Sequence, residues 1–346
     1  MMTTKCISGA LETVLVPSPV DYAVILPPNF ENILKPLPLL LNLHGGGGSR
    51  DDLVALEHLY QELWAEGLLP PMVVASFTAG YSGYLNFIDG SECWEDFISE
   101  FLEYIRGAFH TRIDREGTLL FGTSMGGRGA LRLAFKMPDE FGLVAVLEPG
   151  IDPVFDVNDL KPRNRMAAHL MPPEEQAKRW GWPVDPDYYG ANNPVSLAQN
   201  NAQIIRSTKL KIFFEVGDRD CYNLHDGAEF LHRVLWGNRI EHEYRLLHGV
   251  DHVGSSLFWR YKEAHRWIGR MLGSISSDSP KPTPGQKAFL LWKLSGEKGE
   301  IPVESVPITP FEDLYITLIR ELFEEPIRSH MNSPLEGIYR YKISRW

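Results

Sequence analysis

The chain has 346 residues, 44% hydrophobic and 23% charged; a chain of this size buries roughly 75% of the surface it exposes when unfolded, and this composition excludes disorder. The formal net charge of −11, with no Lys/Arg-rich stretch, argues against nucleic-acid binding, which needs a basic footprint. No apolar run approaches the roughly 18 residues of a membrane-spanning helix, and three cysteines (Cys6, Cys93, Cys221) are too few and too irregularly spaced for a disulfide scaffold.

Residues 1–13 lack a charged segment followed by an apolar one, so no leader is expected there and the expectation is a cytoplasmic protein with reduced thiols. Segments 7–16 and 22–26 read as extended and joined by a turn at Pro17-Ser18-Pro19, an opening β-hairpin. Continuous apolar runs follow at 39–43, 72–77, 118–121, 143–147 and 212–216, with a sixth candidate at 243–247. Such runs fit strands buried on both faces of a parallel sheet. Helical periodicity appears between them at 51–65, 94–109, 126–136, 226–234 and 258–272. Strand–helix alternation predicts an α/β fold with a mostly parallel central sheet flanked by helices.

Residues 152–201 break the rhythm. They are rich in Pro, Asn, Asp and aromatics, and read as a long lid-like loop inserted over the site. Residues 274–286 are rich in Ser, Pro and Gly and read as a linker, which makes 1–273 the catalytic domain. The extension 287–346 carries an apolar run at 288–294, a candidate amphipathic helix at 311–323 and a strand-like alternation at 337–343. It is a candidate for covering a sheet edge or building a homo-oligomer.

The motifs that carry chemistry sit at strand ends. His44-Gly45-Gly46-Gly47-Gly48-Ser49 follows the strand 39–43. Glycines there leave backbone N–H groups unobstructed, and with the N–H of Met125 they could form an oxyanion hole from Gly45 or Gly46. A phosphate loop is disfavoured, since no Gly-Lys-Ser/Thr follows. Gly122-Thr123-Ser124-Met125-Gly126-Gly127 stands between a strand and a helix. That is the context in which G-x-S-x-G forms a nucleophile elbow, a sharp turn that lifts the Ser124 hydroxyl off the sheet. Gly217-Asp218-Arg219-Asp220 follows a late strand and supplies an acid; Asp220 is preferred and Asp218 read as a turn residue. His248-Gly249-Val250-Asp251-His252 supplies a base, with His252 preferred over His248. Ser, then Asp, then His is the chain order of the α/β-hydrolase fold; because that fold places its base last, His44 is read as structural. Asp220, His225, Asp226, His248, Asp251 and His252 are dense in potential ligands, but none has a zinc-site spacing, so no metal and no cofactor is expected.

These segments, with Trp94-Glu95-Asp96-Phe97, resemble the esterase D / S-formylglutathione hydrolase-like branch of the α/β-hydrolases, which includes feruloyl-type esterases. The resemblance covers residues 5–272. It implies a serine carboxylesterase acting on a small-molecule ester, with Ser124, Asp220 and His252 as the triad. The same triad could serve thioester hydrolysis or acyl transfer, and a non-catalytic binding module on this scaffold is the reading from another class. Trp94, Trp182 and Tyr189 are expected to line the substrate pocket.

Overall fold

The computed structural model describes residues 4–165 and 172–273, all within one compact unit, Met1–Ile275. The predicted linker and C-terminal extension lie outside the described residues.

Eight strands form one sheet: β1 (Lys5–Leu11), β2 (Val20–Leu26), β3 (Leu39–Leu43), β4 (Val73–Phe77), β5 (Thr118–Thr123), β6 (Leu143–Leu147), β7 (Lys211–Gly217) and β8 (Glu243–Leu247). Their spatial order is β1-β2-β4-β3-β5-β6-β7-β8. The β1–β2 and β2–β4 pairs are antiparallel and every other pair is parallel. Ten helices cover the described part: α1 (Asp51–Val54), α2 (Glu57–Ala65), α3 (Trp94–Ala108), α4 (Met125–Lys136), α5 (Pro173–Trp180), α6 (Pro186–Asn192), α7 (Pro194–Asn200), α8 (Ala202–Thr208), α9 (Leu224–Gly237) and α10 (Leu257–Met271). None of them is long and apolar enough to cross a membrane.

The central strands are buried on both faces, and alternation divides their side chains between two cores. On β3, Leu39, Leu41 and Leu43 join the core built with α3, α4 and α9. Leu40 joins the opposite core, with Leu59 and Leu63 of α2 and Trp267 and Ile268 of α10. The uninterrupted apolar runs in the sequence are the signature of this double burial.

Three expectations need correction. The first strand ends at Leu11, where it pairs with Val20; residues 12–19 are a loop, tied down by the Thr13 hydroxyl to Glu100 (2.7 Å) and by the Cys93 N–H to the Leu15 carbonyl (2.8 Å). The helix expected over 51–65 is two helices, because the Leu56 N–H bonds three residues back to Leu53 and tightens the chain there. The insertion is not one long loop: α5, α6 and α7 lie within it. Pro173, Pro186 and Pro194 stand in the first turn of their helices, where proline costs no hydrogen bond. Asp185 and Asn193 cap α6 and α7 by accepting the N–H groups of Tyr188 (2.7 Å) and Val195 (3.4 Å). Residues that read as loop formers are helix starters here.

Candidate active site

The parallel strands point their C-terminal ends the same way, and open α/β sheets bind ligands beyond those ends. Ser124 follows β5, His44 follows β3, Glu148 follows β6, Asp220 lies three residues past β7 and His252 five past β8.

Ser124 has φ 57° and ψ −115°, a conformation that costs an L-residue about 1–3 kcal/mol and persists only where the surroundings enforce it. Three backbone hydrogen bonds enforce it here: the Ser124 N–H to the Leu147 carbonyl (2.9 Å), and the N–H groups of Arg128 and Gly150 to the Ser124 carbonyl (3.0 Å each). The flanking glycines are sterically required. A Cβ on Gly126 would lie 2.0 Å from the Leu43 carbonyl oxygen, and one on Gly122 would lie 2.3 Å from that of Gly126.

The hydroxyl of Ser124 donates to Nε2 of His252 (3.0 Å). Nδ1–H of His252 donates to Oδ2 of Asp220 (2.7 Å). Asp220 and His252 are both buried. The other Asp220 oxygen accepts the N–H groups of Tyr222 (2.8 Å) and Leu224 (3.2 Å). Burial alone would raise the Asp220 pKa, but the His252 bond and its other hydrogen bonds outweigh it and hold the carboxyl below the ordinary value. Tyr222 sets its ring edge-on to His252, centroids 4.9 Å apart. The rival pair is elsewhere: His248 is 92% exposed and Nδ1 bonds Asp218 (2.8 Å). Asp218 also accepts the Gly249 N–H, so it closes the turn after β8.

On the opposite side of Ser124 lies the glycine turn. A Cβ on Gly45 would sit 3.7 Å from Cβ of Ser124, and one on Gly46 would sit 3.9 Å from Cβ of Met125. The N–H groups of Gly47 and Gly48 are spent within the fold, on the carbonyls of Gly80 (2.9 Å) and Gly45 (3.1 Å). Those of Gly46 and Met125 have no hydrogen-bond partner among the described residues. His44 is buried with both ring nitrogens occupied: Nδ1–H donates to the Gly45 carbonyl (2.6 Å) and Nε2 accepts from the Ala79 N–H (2.9 Å). Burial lowers its pKa, so the neutral ring pins the glycine turn against residues 79–82.

The expected pocket-wall residues divide differently. Trp94 is a correction: it is buried, packs against Phe77 and Phe97, and belongs to the core. Tyr189 is buried too, its hydroxyl donating to Asp152 (2.8 Å), which also pairs with Arg128 (2.8 Å). The Arg128 guanidinium lies over the Trp180 ring, 5.5 Å from its centroid. That knot fastens the insertion to α4 one turn beyond Ser124. Trp182 is 74% exposed, and the insertion aromatics that pack together are Trp180, Tyr188 and Tyr189.

Two residues were missed in the sequence. Tyr81 is half-exposed, and its ring lies 3.2 Å from where a Gly46 Cβ would be; nothing in its local sequence marks it. Glu148 is buried beside Asp220 and His252, their potential ligand atoms within 4.8 Å of one another. It directly follows a strand, the same signal that identified Asp220. This is the one group of metal-ligand type among the described residues. It is a poor metal site, since both His252 nitrogens are engaged and the Arg260 guanidinium already pairs with Glu148. His225 and Asp226, also weighed as ligands, lie beside each other (3.6 Å), and the Arg163 guanidinium pairs with Asp226 (2.9 Å).

The family model described as "Putative esterase" matches residues 15–271. Esterase Rv1288 of Mycobacterium tuberculosis is 30% identical over 127 residues, which is 34% of this chain and 26% of the relative; the match thus spans about a quarter of that protein's length. A ferulic acid esterase structure superposes with a TM-score of 0.65 at 21% identity, covering 79% of this chain and all of the other. An S-formylglutathione hydrolase from Agrobacterium tumefaciens gives 0.61 at 18% identity, covering 79% and 97%. At such identities the superpositions speak for the fold, which is that of an α/β-hydrolase. The family match extends over well over half of the sequence, and the chain belongs to this esterase family.

Proposed function

We propose that this protein is a serine carboxylesterase working through an acyl-enzyme on Ser124. The observation that carries the reading is the unbroken chain of hydrogen bonds from Ser124 to His252 to Asp220, set on a strained strand-to-helix turn. Nε2 of His252 takes the hydroxyl proton as Ser124 Oγ attacks the ester carbonyl. Asp220 fixes the tautomer with Nε2 unprotonated and stabilises the imidazolium that forms. The N–H groups of Met125 and of the Gly45–Gly46 turn receive the developing oxyanion, where prearranged donors are most effective. His252 returns the proton to the departing alcohol, and water then attacks the acyl-enzyme by the same route. Tyr81, half-exposed beside Gly46, is an aromatic surface next to the proposed oxyanion donors and would touch the acyl or alcohol group.

The reading is tested by covalent trapping. An organophosphonate should add one adduct, and peptide mass mapping should place it on Ser124; Ser124→Ala should take up none. Labelling of Ser124→Ala at the wild-type rate would overturn the proposal. Adding a competing alcohol to the ester assay checks hydrolysis against acyl transfer: free acid should remain the main product.

A further inference from the structure

Behind Asp220 stands a buried carboxyl that the scheme above does not use. Glu148 is fully buried, with a left-handed φ of 46°. Its backbone N–H donates to the Glu215 carbonyl (2.8 Å). Its side chain accepts the Gly217 N–H (3.2 and 3.3 Å to the two oxygens), pairs with the Arg260 guanidinium and has an oxygen within 4.8 Å of one of the Asp220 carboxyl. Arg260, fully buried, also pairs with Glu215 (2.7 Å). The charged and titratable groups facing Glu148 are thus Arg260 from α10, Glu215 from β7, Asp220 from the loop after β7, and His252 from the loop after β8.

Charge counting locates a proton in this cluster. Three buried carboxyls, Glu148, Glu215 and Asp220, face one buried cation, Arg260, with the partly exposed Arg245 beside Glu215 on the neighbouring strand. With all three ionised and His252 neutral, the cluster would hold a net −2 out of contact with water, and burial disfavours charged forms. Two buried carboxyls this close favour sharing a proton for the same reason. Asp220 has the better claim to the negative charge, because it accepts from His252 and two backbone N–H groups, whereas Glu148 has one backbone donor and half-shares Arg260. Burial, the largest influence on Glu148, pushes its pKa up to about 8 against the lowering effect of Arg260. With Glu148 neutral, protonation of His252 brings the cluster to zero: Arg260 and His252 against Asp220 and Glu215. The surroundings then suit the charged intermediate better than the resting state, which is what accelerates a reaction.

We propose that Glu148 is a positioning residue which, as a neutral carboxyl, donates a hydrogen bond to Asp220 while accepting from Arg260, and so holds Asp220 ionised and aimed at His252. This rests on the Ser124–His252–Asp220 reading above. Glu148 gives up no proton during turnover. When it ionises, two carboxylates repel and Asp220 loses its alignment.

The test uses the full chain and p-nitrophenyl acetate, from about pH 6 to about pH 10, with the Ser124→Ala rate subtracted. Wild-type kcat should fall on the alkaline side with KM nearly constant. Glu148→Gln keeps both an acceptor and a donor at every pH; it should retain kcat within about tenfold at neutral pH and lose the alkaline fall. Glu148→Leu should lose about 10²-fold in kcat, as misplaced catalytic groups do. Glu215→Gln, which leaves the contact with Asp220 intact, should keep the alkaline fall. Difference infrared spectra should show a protonated-carboxyl band at neutral pH that is missing in Glu148→Gln. An unaltered alkaline fall in Glu148→Gln, or no such band in the wild type, would overturn the proposal. If Ser124→Ala hydrolysed at the wild-type rate, the triad reading would fail instead, and the infrared band alone would decide where the proton resides.

Discussion

Single residues decide between the two acid–base pairs that the sequence offered. Asp218 with His248 and Asp220 with His252 each consist of an acid after β7 and a histidine after β8, and spacing alone favoured the second pair. The structure separates them by burial: one histidine is 92% exposed and the other 9%. Replacing Asp220 with Asn should lower kcat by about 10⁴-fold, because Nδ1 would no longer be fixed as the donor. His248→Ala should leave kcat within about twofold. Comparable losses in the two variants, measured by steady-state kinetics, would contradict the assignment. Ser124, Asp220 and His252 could be singled out as candidates in the sequence because each follows a strand beside a tight turn. Trp94 misled because an aromatic residue at a helix start looks the same whether it faces a ligand or the core.

Among the elements, the strands were easiest to read, since double burial removes polar residues from them. The insertion was hardest. Its prolines and Asx residues are ambiguous between breaking a helix and starting one, and only tertiary contacts resolve this. One such contact is the buried Arg132 on α4. It pairs with Glu95 at the start of α3, bonds the Tyr84 carbonyl, and donates to Asn192 at the end of α6 (3.2 Å). Lys136 also reaches Glu95 (2.9 Å). Despite the effect of burial, these cations hold the Glu95 carboxyl below its ordinary pKa. Glu95→Ala should therefore destabilise the protein by about 3–5 kcal/mol, since it leaves a buried guanidinium short of its counter-charge. Denaturant unfolding of the two proteins checks this. A change below about 1 kcal/mol would mean that the pair behaves as an exposed one.

For the molecule as a whole, the two cores set how stability varies with pH. His265 is buried between sheet and helices. Its Nδ1–H donates to the Tyr261 carbonyl (2.7 Å) and its Nε2 accepts from the Tyr60 hydroxyl (2.8 Å). Desolvation depresses its pKa from 6.5 to about 4, against the opposing effect of the Tyr261 bond. Between these values the unfolded chain binds a proton that the folded one does not. Stability from this site is complete above about pH 6.5 and drains as pH falls toward about 4, by on the order of 3 kcal/mol. The melting temperature should thus fall less steeply over that range in His265→Gln than in the wild type; equal slopes would assign the acid loss to other groups. The acyl-enzyme on Ser124 is the claim on which the whole functional account depends. Its most direct test is the pre-steady-state hydrolysis of p-nitrophenyl acetate by wild type and Ser124→Ala. A burst of one p-nitrophenolate per chain, followed by a slower steady rate, should appear in the wild type. It should be absent from Ser124→Ala, with kcat reduced about 10⁴–10⁶-fold. Equal rates in the two proteins would show that Ser124 is not the nucleophile.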